Sequence, residues 1–127
     1  MIFNGNIPIY VQIMDDIKEK ILLKTLKPNE RISSVRSLAD EYNVNQNTIQ
    51  RVCTELEREG IIYTQRGVGS FVTQSNTIID KLKEKKKKQM MQTFLSGMKG
   101  IGFNKKEIIK LIEEGFDEWY YKNKGVK

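Results

Sequence analysis

The chain has 127 residues, a mass of 14.8 kDa and a net charge of +6, from 22 Lys and Arg against 16 Asp and Glu. That length suits one domain or a small domain with an appendage, and 39% apolar with 30% charged residues is an ordinary globular composition. With no histidine and one cysteine, Cys53, the chain excludes an internal disulfide, a Cys/His zinc site and catalysis built on a histidine base.

Tyr10, Ile13, Met14, Ile17 and Ile21 recur at helical spacing, with Asp15, Asp16, Lys18 and Glu19 on the other side. Pro8 can open this helix, whose pattern stops at Leu26. Lys27-Pro28-Asn29-Glu30 reads as a turn, and Arg31-Ile32 as a very short strand. Ser33 or Ser34 can cap a second helix that buries Val35, Leu38, Ala39 and Tyr42. Asn43-Val44-Asn45 breaks it. Asn45 then caps a third helix with Ile49, Val52, Cys53 and Leu56 on one face, and Gly60 ends it. Ile61–Gln65 and Ser70–Thr73 read as two strands around the turn Arg66-Gly67-Val68-Gly69.

After the polar stretch Gln74–Thr77, a fourth helix carries Ile78, Ile79 and Leu82 at one end and Met90, Met91, Phe94, Leu95 and Met98 at the other. Gly97, Gly100 and Gly102 are expected to break it. Asn104 and Glu107 form a capping box for a fifth helix, with Phe103 and Ile108 as a hydrophobic staple. Its apolar stripe runs through Ile109, Leu111, Ile112, Phe116, Trp119 and Tyr120. The order of elements predicts an α+β, mainly α chain: a winged helix-turn-helix over residues 1–74, then a two-helix C-terminal dimerisation tail over 75–127.

The third helix should read DNA. Its first turns present Asn45, Gln46, Asn47, Thr48, Gln50 and Arg51 opposite the apolar face. Amide side chains pair bidentately with adenine, and arginine with guanine. Thr48 suits a phosphate or a thymine methyl. Ser33, Ser34 and Arg36 stand at a helix N-terminus, which suits a phosphate. Arg66, beside Gly67 and Gly69, suits a narrow groove. Plainer roles compete: Asn45 as a cap, the glycines as turn formers with positive φ, Arg36 as an ion-pair partner of Asp40, and Cys53 as a packed apolar residue.

These residues resemble a family. Pro8-Ile9-Tyr10-Val11-Gln12-Ile13, Ser33-Ser34-Val35-Arg36-Ser37-Leu38-Ala39, Val44–Arg51, Leu56–Gly60 and Gly67–Val72 are similar, in order, to motifs of GntR-family bacterial transcription regulators. The Asn-x-Asn-Thr form of Asn45–Thr48 and the short tail resemble its YtrA subfamily. The resemblance implies DNA contacts from Ser34, Arg36, Asn45, Asn47, Thr48, Arg51 and Gly69. It also implies a tail that dimerises and, for the subfamily, repression of operons that encode ABC transporters. Three positions depart from the pattern: Ser33 replaces a proline, Asn29 replaces a turn glycine, and Gln46 stands where many members have a basic residue or proline.

The tail and the charge belong together. Residues 1–74 hold nine basic and nine acidic side chains, which cancel, so the whole +6 lies in residues 75–127, with six lysines in Lys81–Lys88. That run reads as a solvated helix face, a flanking phosphate contact or a membrane-surface patch. Two helices with wide apolar stripes cannot bury them alone, so a homodimer is expected through Leu82, Met91, Phe94, Leu95, Ile108, Ile112, Phe116, Trp119 and Tyr120. No apolar run reaches the roughly 18 residues of a spanning helix, and Met1–Asn6 lacks signal-peptide character. The expectation is a cytoplasmic, non-enzymatic repressor that binds double-stranded DNA, with no membrane, metal or cofactor. A protein-interaction module is the alternative, and a small-molecule effector stays open.

Overall fold

The structure, a computed structural model, describes residues 1–123. It contains α1 (Ile9–Leu22), α2 (Val35–Tyr42), α3 (Gln46–Arg58), β1 (Ile62–Gln65), β2 (Gly69–Val72), α4 (Asn76–Gly100) and α5 (Lys105–Lys122). Two compact units divide at Lys83 and Glu84, a point inside α4.

In the first unit, α1 and α2 both pack on α3, and α3 packs on β1. Ile13, Ile49, Val52, Leu56 and Val72 are fully buried, and Leu38, Tyr42, Ile61 and Ile62 join them. Val35 and Cys53, expected in the core, are half-buried at its edge. Pro8 lies just outside α1, and the Gln12 side chain organises the approach to it. The Gln12 amide donates to the carbonyls of Asn4 (2.7 Å) and Ile7 (2.8 Å) and accepts from the Asn4 N–H.

α1 ends at Leu22, four residues short of the periodic pattern. Lys24 takes φ +62°, and the Thr25 and Leu26 N–H groups bond back to the Lys20 carbonyl, closing the helix. Leu26 still packs on the core, from the loop, which is why its spacing resembled helix. Asn29 and Asn43 adopt positive φ, +64° and +55°, as asparagine tolerates.

Polar contacts bind the three helices. The Tyr42 hydroxyl donates to Asp16 at 2.6 Å, and Lys20 pairs with Asp16 at 3.3 Å. Burial, together with the Asp16 carboxylate, holds the Tyr42 phenol protonated far above the usual tyrosine range. Lys18 reaches Glu59, just past α3, at 3.0 Å.

The wing is wider than a hairpin. β1 and β2 pair antiparallel, Ile62 with Val72 and Gln65 with Gly69. The segment 29–32 adds a third edge. The Asn29 and Ile32 N–H groups donate to the Val72 and Ser70 carbonyls, Val72 donates to Glu30, and Arg31 bridges Phe71. Tyr63 stacks on Phe71 across the sheet and donates to Asn29.

Leu82 departs from its expected place. It is buried in this first core, with Ile78 and Ile79 against it, so it belongs to the packing of the winged unit and not to the tail's apolar stripe. Ile78 also packs at Gly60, where a Cβ would stand 2.8 Å from the Ile78 Cδ1.

In the second unit, Gly97 does not interrupt α4, which runs unbroken to Gly100. A mid-helix glycine costs only about 1 kcal/mol, and the chain turns where Gly102 takes φ +98°. The capping box of α5 is complete, with Glu107 N–H donating to Asn104 Oδ1 at 2.9 Å and Asn104 N–H to Glu107 Oε1 at 3.1 Å. Ile108 is buried. Met91, Phe94, Leu95, Ile112, Phe116, Trp119 and Tyr120 are exposed, Trp119 by 61%. Phe116 and Tyr120 stack with ring centroids 5.7 Å apart.

Candidate nucleic-acid interface

Helix α3 owes its orientation to its apolar face. Ile49, Val52 and Leu56 are buried, which turns Gln46, Asn47, Gln50 and Arg51 outward, with Thr48 half-buried between the two faces. Asn45 is the N-cap: its Oδ1 accepts from the Asn47 N–H at 2.7 Å. Its cap role is therefore in place, with its amide nitrogen still at the exposed end of the helix.

Arg51 is held by an aromatic ring. Its guanidinium carbon lies 3.8 Å from the centroid of Tyr10, the second residue of α1. A guanidinium over a tyrosine face gains about 0.5–1 kcal/mol at exposed sites and keeps its N–H edge free for acceptors. Tyr10, read from sequence as part of an apolar stripe, is thus half-buried under a cation of the candidate site. Nothing in the sequence links positions 10 and 51.

At the start of α2, Ser34 is the cap. Its Oγ accepts from the Ser37 N–H at 3.1 Å and donates to Ser37 Oγ at 3.0 Å. Ser33 lies outside the helix and is exposed. Arg36 is exposed too, and among the described residues no ion pair joins it to Asp40.

At the wing tip, Arg66 and Gly67 are exposed, and Gly67 needs its glycine because φ is +79°. Gly69 already belongs to β2. Its φ is +146°, and a Cβ there would stand 2.7 Å from the Nε of Arg31. Arg31, a residue that sequence reasoning placed only in a short strand, is therefore the arginine packed along the wing. The structure thus brings Arg31 and Arg66 to one hairpin and the amides of α3 to one helix face.

Elsewhere the chemistry is quieter. Burial, then the charge of Glu57, pushes the Cys53 thiol above its usual range, as befits a packing residue. The lysine run is exposed apart from half-buried Lys86. Lys87 hydrogen-bonds Glu84 at 2.8 Å, which holds that carboxyl below its usual range. Among the described residues no helix is long and apolar enough to cross a membrane.

Residues 9–72 match the bacterial regulatory proteins of the gntR family. The chain belongs to the GntR family. The HTH-type transcriptional regulator YhcF of Bacillus subtilis is 40% identical over 111 residues, 87% of this chain and 92% of that protein. The HTH-type transcriptional repressor YtrA of the same organism is 38% identical over 69% of each chain, which fits the YtrA-like subfamily. Among solved structures, a GntR-family regulator from Listeria monocytogenes is 38% identical with a TM-score of 0.77, covering 88% of this chain and 98% of that one. The DNA-binding domain of AraR, solved in complex with operator ORX1, is 26% identical with a TM-score of 0.53 over 57% of this chain and 93% of that one. The winged helix-turn-helix followed by C-terminal helices is thus a GntR-family fold.

Proposed function

We propose that this GntR-family chain is a DNA-binding transcription regulator, a homodimeric repressor that reads a palindromic operator. The observation that carries the reading is the outward face of α3, where Gln46, Asn47, Gln50 and Arg51 stand together opposite a fully buried apolar face. In this reading Asn47 and Gln50 contact base edges, Ser34, Arg36 and Thr48 contact phosphates, and Arg66 enters a minor groove. The AraR domain, bound to its operator, supports DNA as the partner.

The exposed apolar side chains of α4 and α5 support a second copy of the chain as their cover. Two-fold symmetry then sets two half-sites about 34–36 Å apart, one turn of the duplex. The subfamily resemblance noted in the sequence, which implies repression of transporter operons, directs the search for an operator to promoters of such operons.

Selection of bound fragments from random and then genomic DNA tests this. The expected result is a single enriched palindrome, with Gln50→Ala or Asn47→Ala relaxing one base position in each half-site at a cost of about 1–3 kcal/mol. Recovery of fragments with no common sequence would overturn it.

A further inference from the structure

The winged unit has little charge to spare, since its basic and acidic side chains cancel over residues 1–74. Each exposed arginine therefore matters by position. Arg31 is exposed, and among the described residues no carboxylate pairs with it. Its backbone is nonetheless fixed. The segment 29–32 is tied to β2 by three backbone hydrogen bonds of 2.8–2.9 Å, and Arg31 stands opposite Phe71.

Residues directly opposite in antiparallel strands share a face, and so do residues two apart along one strand. Arg31, Phe71 and Gly69 therefore lie on one face of the wing. The Arg31 side chain runs along that face toward the tip. Its Nε lies 2.7 Å, and its Cζ and Nη2 3.3 Å, from where a Cβ of Gly69 would stand. Gly69 pairs with Gln65, the residue before Arg66, so the guanidinium reaches the level at which the turn begins. Any side chain at position 69 would occupy that path.

Building on the DNA-binding reading above, we propose that Arg31 is a second DNA-contacting arginine of the wing, which binds a backbone phosphate beside the groove that Arg66 enters, and that Gly69 is the opening through which it reaches. A guanidinium presents a planar edge of N–H donors, which matches two phosphate oxygens. A phosphate contact carries no sequence information of its own, so Arg31 sets affinity and the register of the wing.

The test measures binding of the full chain to its selected operator as a function of salt. Arg31→Gln should lower the slope of log K against log salt by about 0.9 for each protomer bound, with base preference unchanged. Arg31→Lys should keep the slope. Circular dichroism checks folding, and Arg31→Met, which keeps the stem and loses the charge, supplies the same readout if the glutamine variant does not fold. Gly69→Ala should weaken binding more in the wild type than in the Arg31→Gln background. A wild-type slope in a folded Arg31→Gln or Arg31→Met protein overturns the phosphate contact, while the DNA-binding reading stands. Equal effects of Gly69→Ala in both backgrounds overturn the opening. A wild-type chain that binds no DNA overturns both readings together.

Discussion

In the unit Met1–Lys83, three helices and a wing converge until Ile13, Ile49, Val52, Leu56 and Val72 are fully buried. In the unit that begins at Glu84, most apolar side chains of α4 and α5 stand outward, Ile108 excepted, and Phe116, Trp119 and Tyr120 are each about half exposed or more. Apolar stripes thus have opposite fates in the two units. The difference lies in the number of partners: a wide stripe needs more than one neighbouring surface, and two helices cannot each enclose the other. Charge divides the same way, cancelling over residues 1–74 and leaving +6 over residues 75–127. The first unit is closed and, over residues 1–74, neutral, with its polar chemistry in a few placed side chains. The tail is open and basic.

That contrast can be broken. Phe116→Asp with Trp119→Asp should turn the proposed dimer into a monomer in sedimentation experiments, since losing a buried aromatic anchor at an interface costs about 2 kcal/mol or more. A double variant that stays fully dimeric would show that the outward face is not the interface.

The closed unit is tested next. Leu56→Ala should destabilise it by about 2–5 kcal/mol in chemical denaturation, the range for a cavity in a packed core, whereas Met91→Ala on the exposed face of α4 should leave the folded protomer's stability almost unchanged. Comparable losses from the two would erase the distinction.

Tyr10→Leu should remove the platform under Arg51 and weaken operator binding about two- to fivefold, from the lost 0.5–1 kcal/mol, while Tyr10→Phe should retain it. Equal weakening by both variants would assign the effect to the hydroxyl instead of the ring.

The smallest effect is expected from the lysine run. Replacing Lys85–Lys88 with glutamine should lower the salt dependence of DNA binding without altering the preferred sequence. An unchanged slope would return those lysines to an ordinary solvated helix face.

Much of both units could be read from local rules. The caps at Asn45 and Asn104, the glycine end at Gly60 and the buried faces of α1 and α3 each depend on residues within one or two turns, where spacing and side-chain type carry the information. The misreadings occur where distant contacts imitate or override local signals. Leu26 continues a helical spacing because it packs on the core from a loop, and Leu82 sits in a tail-like helix but packs with the winged core. Gly97 looks like a breaker, yet α4 carries it without interruption.

By itself, then, the sequence determined the order of elements, the family motifs, the amide-rich face of α3 and the uneven placement of charge. Tertiary structure alone decided that Tyr10 lies under Arg51, that segment 29–32 becomes a third edge of the wing and that Arg31 crosses Gly69. The physical reason is range. Helix periods and caps act across three or four residues, whereas these contacts join residues about forty apart, and only the closing of the common core brings them within reach.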